Sequence, residues 1–516
     1  MARSSAAASE TWRSNLKVIG YCLIVAFAAT NFGFDQGETG GFFAMEQFAK
    51  DFGVYDASTD SYGLTAGSIT CMYGLEIGAM ALAAFASGFI GSRWGRKLGL
   101  VLCAITGLIG AALQMVASWP AQLVGRIFMG ASIGLCGNFT IPYWSEAAPA
   151  GIRGIVCIFY QLFTNIPNFI GACVDQATYE MPNRWSYRIP LLTTMISPLL
   201  LLSLVWIVPE SPRWLITKDR VEEARKSLRK IRGKTIPQAE LDRELDEAIA
   251  FTALERELEE STSYLECLKG TDLRRTLIAC LAMSGQQLTG IAFVSGYSTY
   301  FFEEVGISNS FLDTVIVDAC TIAGPVSALI LCRFVGRRPI LLLGTFICGF
   351  SMFALSIVSQ AAPNSTAAGN CLVAFTCIYS YSYGLSWGAF GPVVMGEIPS
   401  NRLRSKTISL SLTINWLWCL AIITSVPYLL SAEYANLGTK LGYLFGAMNV
   451  VLLIITWIIV PETKDRTLEE IDEMFLNAVP TKEFKSYVCT GEAAGYDIRG
   501  MNKEKERIEV VEVENA

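Results

Sequence analysis

Apolar residues in this chain collect into long runs separated by short polar turns. Twelve runs stand out, at 17–36, 64–88, 97–117, 121–143, 154–174, 188–208, 275–300, 311–332, 339–360, 371–395, 407–430 and 438–460. Each approaches the roughly 20 residues that a helix needs to cross a hydrocarbon core about 30 Å thick. Within that core the backbone must satisfy its own hydrogen bonds, which makes the α-helix the natural spanning element. The pattern therefore predicts an all-α membrane protein with twelve transmembrane helices. Between the sixth and seventh runs, Lys, Arg, Asp and Glu crowd a long connection. Apolar residues recur in it at helical spacing: Val221, Ala224, Leu228 and Ile231, then Leu241, Leu245 and Ile249. That spacing predicts short amphipathic helices lying outside the membrane. Near the C-terminus, Thr467 followed by Leu468, Glu469 and Glu470 reads as a helix start with an acidic first turn.

One short pattern occurs twice. Gly95-Arg96-Lys97 in the first half is matched by Gly336-Arg337-Arg338 in the second. Ser145-Glu146 followed by Arg153 is matched by Glu397 followed by Arg404, and Pro209-Glu210 by Pro461-Glu462. The chain reads as a duplicated membrane protein, and a duplicated helical membrane protein of this size predicts a transporter.

Composition sharpens this. The chain is 52% hydrophobic and 17% charged, with a mean hydropathy of +0.41, an apolar excess beyond that of ordinary soluble domains. It has no His, which removes His-based proton relays and metal sites. The 15 Cys are scattered, many of them inside apolar runs (Cys22, Cys103, Cys136, Cys280, Cys348), where a thiol behaves as a small hydrophobe. No nucleophile-and-base constellation and no phosphate-binding loop stands out. The expectation is a non-enzyme with no cofactor, no metal and no nucleic-acid partner, embedded in a lipid bilayer.

Basic residues orient the helices. Arg93, Arg96 and Lys97, then Arg153, then Arg333, Arg337 and Arg338, then Arg402, Arg404 and Lys406 all fall on one side when twelve spans alternate. The opposite loops carry Asp51, Asp56, Asp60, Glu303 and Glu304. Both termini are therefore expected to be cytoplasmic, with no cleavable signal peptide. Asn364-Ser365-Thr366 is a candidate glycosylation acceptor in an outward loop.

Asp35 is the sharpest single residue. A carboxylate in a spanning segment costs about 2.5–3.5 kcal/mol on insertion scales, so it is expected to face a cavity and to have a partner. Arg126 in the fourth run is the natural partner. The pair reads either as a proton-coupling device or as a fixed salt bridge that packs the first half.

The order and spacing of the motifs resemble the sugar porter family of the major facilitator superfamily, in its fungal form. They run from Gly33-Phe34-Asp35-Gln36-Gly37 through Gly95-Arg96-Lys97, Gly125-Arg126, Pro209 to Arg213, Gln286-Gln287-Leu288-Thr289-Gly290 and Gly336-Arg337-Arg338 to Pro461 and Phe475. The resemblance implies two six-helix bundles around a central site, with alternating access by rocking. With the charge-dense connection as a linker and the coreless, alternately charged C-terminus as a tail, the chain divides into an N-terminal bundle (1–208), a cytoplasmic helical linker (209–274), a C-terminal bundle (275–478) and a disordered cytoplasmic tail (479–516). The resemblance also names the solute. It implies a secondary transporter of a sugar or sugar-like solute, at the plasma membrane, with proton symport through Asp35 and Arg126. A facilitative uniporter and a non-transporting sugar sensor remain as alternatives.

The same resemblance assigns sugar contacts to Gln161, Gln286 and Gln287, whose amides offer both donors and acceptors to hydroxyl groups. It adds Trp387 as a face for the sugar ring and Asn415 as a further polar contact. For Trp387 the competing reading is core packing. Glycines in runs seven (Gly285, Gly290, Gly296) and ten (Gly384, Gly388, Gly391, with Pro392) predict irregular helices beside the site. Three positions depart from the family pattern: Ala292, Pro392 and Cys419 stand where polar or aromatic residues are expected. These losses widen the substrate to a larger glycoside, a pentose, a polyol or a sugar acid. At the cytoplasmic face, Glu146 with Arg153, Glu397 with Arg404, and Arg96 and Arg337 with Glu210 and Glu462 are expected to form a gate of ion pairs. Ser92 and Arg333 replace the acidic residues usual at the loops after runs two and eight.

Overall fold

The computed structural model describes residues 16–489, apart from 57–59, 149, 234–236, 240, 247, 250–251, 253–262, 305–308, 333, 363–364, 432–433, 465, 467 and 485. Asn364, Arg333 and the chain beyond 489 lie outside the described residues, as does the side chain of Arg153.

The first half is built from α1 (Leu16–Ala44), the short α2 (Glu46–Phe52), α3 (Ala66–Trp94), α4 (Arg96–Gln114), α5 (Trp119–Ala147), α6 (Ala150–Thr178) and α7 (Trp185–Leu204). The linker contributes α8 (Pro212–Thr217) and α9 (Val221–Arg232). The second half comprises α10 (Gly270–Leu288), α11 (Ile291–Glu304), α12 (Ser310–Leu331), α13 (Arg337–Ala361), α14 (Thr366–Tyr383), α15 (Ala389–Glu397), α16 (Arg404–Leu430) and α17 (Leu441–Ile459), followed by α18 (Leu468–Leu476). Ten helical stretches among the described residues are long and apolar enough to cross a membrane, α10 and α11 together forming one of them. The remaining two expected spans fall on α6 and on the α14–α15 pair. The result is a multi-pass membrane protein of two six-helix bundles.

A feature absent from the periodicity is the antiparallel pair β1 (Val54–Asp56) and β2 (Ser61–Gly63), with Tyr55 opposite Tyr62. Their rings lie 5.3 Å apart, and Tyr55 donates to Asp60. Three-residue strands are too short to leave a readable alternation in the sequence.

Local chemistry sets the helix ends. Thr65 caps α3 by accepting from Ser68 N, and Ser211 caps α8 ahead of Pro212. Gly95 ends α3 at φ +93°, a conformation that only glycine adopts without strain, and α4 begins at the next residue. In α9, Glu222 and Glu223 occupy the first turn and Arg229, Lys230 and Arg232 the last, matching the helix dipole. Its apolar stripe (Ala224, Leu228, Ile231) is buried. Ala224 and Leu228 join Trp214, Leu215, Leu241 and Leu245 in a separate linker core, as the spacing predicts.

The bundle has two unlike ends. One, where α1 stops at Ala44 and α3 begins at Ala66, is called here the seal end. The other carries Gly95, Gly336 and both chain-half boundaries and is called the turn end. At the turn end each bundle has its own apolar core. In the first bundle it includes Val18, Cys22, Leu100, Phe139, Trp144 and Leu201. In the second it includes Ile278, Leu341, Trp387, Val394, Leu452 and Phe475. At the seal end a single cluster crosses between the bundles, joining Phe42, Phe43, Ile69 and Tyr73 to Phe293, Tyr297, Phe301, Ile423 and Val426.

Residues 479–484 and 486–489, assigned to the tail by their charge pattern, pack against the second bundle. Val479 and Phe484 are buried, Arg274 donates to Val479 O and Thr481 Oγ1, and Arg466 donates to Tyr487 O. The apolar residues there are too sparse to show a period, yet Phe484 reaches the ring of Phe475 at 5.2 Å.

Candidate functional site

The two spans expected to be irregular are broken where the glycines cluster. α10 stops at Leu288 and α11 begins at Ile291, with Gly290 at φ +103° between them. The break frees the Thr289 carbonyl, which Asn449 of α17 satisfies at 3.0 Å, while the Thr289 hydroxyl receives the Tyr379 hydroxyl at 3.3 Å. α14 and α15 are joined by a π-turn at Gly384–Gly388, a wider turn that accommodates an inserted residue.

Beside these breaks three of the expected contacts come together. Gln287 donates to Asn415 Oδ1 at 2.8 Å, and Asn415 donates to Gln286 Oε1 at 3.2 Å. Gln286 in turn donates to the Trp387 carbonyl at 3.1 Å. Gln287 Oε1 is buried and receives no donor, so the triad carries a spare acceptor. Gln161 is engaged elsewhere. It donates to Asn165 at 2.9 Å, and Asn165 reaches across the bundle interface to the Thr321 carbonyl at 3.4 Å.

Trp387 does not present its face as a ring platform. It is fully buried, donates from its indole to Thr345 at 2.8 Å, and lies so close to Gly285 that a Cβ there would overlap its ring. The π-turn directs the side chain into the second bundle, so it buttresses α10 behind the glutamines. Of the three departures, Ala292 is buried in the seal cluster, Cys419 packs against it, and Pro392 sits inside α15.

Asp35 and Arg126 meet as expected, at 3.5 Å, but not as an isolated pair. Arg126 also contacts Glu76 of α3 at 3.1 Å and donates to Thr39 at 2.7 Å. Glu38, one turn beyond Asp35, is buried and accepts from Thr193 and Thr194 of α7, and Asp175 of α6 is buried as well. The rule that singles out Asp35, an acidic residue inside an apolar run, applies equally to Glu76 in the run 64–88. Gly130, one turn along α5 from Arg126, lets α3 press close: a Cβ there would overlap the Glu76 carbonyl oxygen.

The turn-end networks are duplicated, and their pairing differs from expectation. Arg96 grips Glu146 with two nitrogens, at 2.9 and 3.3 Å, and Arg337 holds Glu397 at 3.0 Å. Glu210 accepts backbone N–H groups from Arg96 and Lys97, and Glu462 accepts those of Arg337 and Arg338. Both glutamates thus cap helix N-termini rather than pairing with guanidinium groups. Ser211 donates to Glu146, and Thr463 donates to Glu397 at 2.6 Å. Arg404 donates to the Gly396 carbonyl. Glu397 thus pairs with Arg337, which the basic turn at the start of α13 brings to it. Each of these contacts stays within one bundle, so they fasten helices to one another inside each half.

The halves are joined nearer the seal end. Tyr73 donates to the Gly296 carbonyl at 2.6 Å, Gln36 to Ser295 at 3.0 Å, and Thr70 to the Thr424 carbonyl at 3.2 Å. Tyr179 of the first half stacks on Phe311 of the second at 4.4 Å.

Comparison with known proteins agrees with this geometry. The pattern of the family described as "Sugar (and other) transporter" matches residues 21–475. The chain is 30% identical over 485 residues to the major facilitator-type transporter ecdD of Aspergillus rugulosus, spanning 91% of this chain and 90% of that one. It is also 30% identical over 493 residues to the low-affinity glucose transporter HXT3 of Saccharomyces cerevisiae, spanning 92% and 85%. Among solved structures, the proton:xylose symporter XylE bound to 6-bromo-6-deoxy-D-glucose superposes with a TM-score of 0.71 at 22% identity. The match covers 89% of this chain and 99% of that one, a likeness of fold.

Proposed function

The chain belongs to the sugar transporter family, and from that premise we propose that it carries a sugar or a related polyhydroxylated solute across a membrane by alternating access, in symport with a proton. The observation that carries this reading is the amide triad Gln286–Asn415–Gln287, set beside two broken helices and next to a cluster that closes the interface at the seal end. Sugar hydroxyls donate and accept, and the triad offers N–H donors and the spare Gln287 oxygen to meet them. Trp387 holds the wall behind the triad, and Gln161 faces the interface from α6 through Asn165.

The turn end faces the cytoplasm in this reading, since Arg96, Lys97, Arg337 and Arg338 lie there. Both termini are then cytoplasmic, and the plasma membrane is the expected location. The closed seal and the separate turn-end cores make this the inward-facing member of the cycle. Rocking opens the seal and brings the turn ends together, while the Glu146–Arg96 and Glu397–Arg337 contacts keep each half rigid. Asp35 and Arg126 supply the proton-linked element, buried in the half that moves against the triad.

The test is uptake of radiolabelled glucose, xylose, maltose, galacturonate and inositol by a hexose-transport-null yeast expressing the chain, at acidic pH, with and without an uncoupler. Uptake that collapses with uncoupler is the expected result. Uptake indifferent to it makes the chain a uniporter. Surface-located protein that moves none of the panel overturns sugar transport in favour of sensing.

A further inference from the structure

The surroundings of Arg126 do not balance electrically unless they hold a proton. Its guanidinium is fully buried, and one nitrogen, Nη1, faces three oxygens: Thr39 Oγ1 at 2.7 Å, Glu76 Oε2 at 3.1 Å and Asp35 Oδ1 at 3.5 Å. Nη1 carries two hydrogens, so three acceptors exceed what it can serve. Nε and Nη2 meanwhile have no hydrogen-bond partner. The Asp35 and Glu76 carboxyls thus crowd the same Nη1, at 3.5 and 3.1 Å. Two ionised carboxylates placed side by side have no donor between them, and a proton kept on one of them supplies it.

Among the described residues the neighbours supply no second cation. Glu38 of α1, Tyr73 of α3, Tyr297 of α11 and Cys419 of α16 are the titratable groups facing this cluster, and all are acidic or neutral. Glu76 is 4% exposed and Asp35 7%, so water does not screen them. With both ionised, the cluster would hold an uncompensated negative charge in a low-dielectric interior, a state that proteins avoid by protonation.

We propose that Asp35 and Glu76 share a single proton held against Arg126, so that a carboxyl pair, rather than Asp35 alone, is the group that loads and releases it. With the proton the cluster is neutral. Release breaks one carboxyl O–H bond, passes the proton to water and leaves the two carboxylates repelling each other. The spare Nε and Nη2 donors then give Arg126 a way to hold both. Gly130 keeps α3 close enough for Glu76 to take part. The role of this pair in coupling rests on the symport reading; the shared proton itself does not.

The experiment uses the full-length chain in proteoliposomes, with Glu76→Gln, Asp35→Asn and the conservative Glu76→Asp. Proton-driven sugar accumulation is measured beside the infrared difference spectrum of the protonated-carboxyl C=O stretch during a pH titration. Sugar binding followed by tryptophan fluorescence identifies variants that have folded. In the expected result Glu76→Gln and Asp35→Asn each remove the same C=O band and abolish proton-driven accumulation, and Glu76→Asp keeps the band. A folded Glu76→Gln protein with the wild-type band and wild-type pH dependence overturns the proposal. If wild type never accumulates sugar but the band still disappears in both variants, the shared proton stands and the symport reading falls.

Discussion

Tyr73 ties the first bundle to the second by donating its hydroxyl to the Gly296 carbonyl at 2.6 Å, with its ring edge-on to Tyr297 at 5.1 Å. The hydrogen bond and the ring contact are separable. Tyr73→Phe keeps the apolar ring in the seal and removes one buried hydrogen bond, worth about 0.5–1.5 kcal/mol. That energy acts on the closed-seal state alone, because the bond spans the two halves. The expected outcome is a roughly 2- to 10-fold gain in the seal-open population. Alkylation by a membrane-impermeant maleimide at Val294→Cys, a buried seal position, should accelerate by that factor against the same variant with Tyr73 intact. An unchanged rate means that the bond does not hold the seal.

Glu146 and Glu397 do the same job in different bundles, and this gives a prediction about additivity. Each joins an arginine from a basic turn to a hydroxyl that follows a Pro-Glu pair. All four charged side chains are less than a quarter exposed. Glu146→Gln and Glu397→Gln should each lower stability by about 1 kcal/mol, between the values for an exposed pair and a buried one. Because the two networks share no partner, the double variant should show a coupling energy within about 0.5 kcal/mol of zero in apparent melting temperatures. A strong coupling would mean that the two networks act on each other across the bundle interface.

Much of this was legible in the sequence because membrane helices write their length and position directly into hydropathy. The twelve spans, the linker stripe at Ala224, Leu228 and Ile231, and the breaks near Gly290 and Gly384 all follow from local rules. The contacts of two basic turns did not: Arg96 and Arg337 reach Glu146 and Glu397 from 50 and 60 residues away, a proximity set by tertiary packing. Trp387 was misplaced for a related reason: a π-turn rotates the residues after it, and no helical-wheel argument anticipates the shift. Glu76 was within reach of sequence reasoning, since a carboxylate in an apolar run is conspicuous wherever it occurs.

Asp51 makes the seal end sensitive to acid. Burial works to raise its carboxyl, but Arg184, at 2.9 and 3.1 Å, and the Tyr187 hydroxyl, at 2.7 Å, outweigh that and hold it below the ordinary aspartate range. A depressed folded-state value favours the folded protein above the unfolded value, about 3.9 for Asp. The benefit is lost as the pH falls through the lower, folded value. Asp51→Asn should therefore melt below wild type at neutral pH, and the two curves should converge in strong acid. Curves that stay parallel would show that the contact contributes through packing alone.

Asn415 is the joint of the amide triad, and it tests whether the triad binds substrate or merely packs. Its side chain accepts from Gln287 and donates to Gln286, so it fixes both glutamines with one residue. Asn415→Ala removes two hydrogen bonds, each worth about 0.5–1.5 kcal/mol, freeing the Gln287 amide and leaving Gln286 held by the Trp387 carbonyl alone. If the triad is a pre-set sugar site, the lost orientation should appear as a rise in KM of about tenfold for the preferred sugar, with surface expression retained. Asn415→Asp sharpens the comparison, because it keeps the acceptor facing Gln287 and loses the donor facing Gln286. Its KM should lie between those of wild type and Asn415→Ala. A uniform fall in surface expression with unchanged KM would instead assign the triad to the packing of α10 against α16, and the binding site would have to be sought on α6.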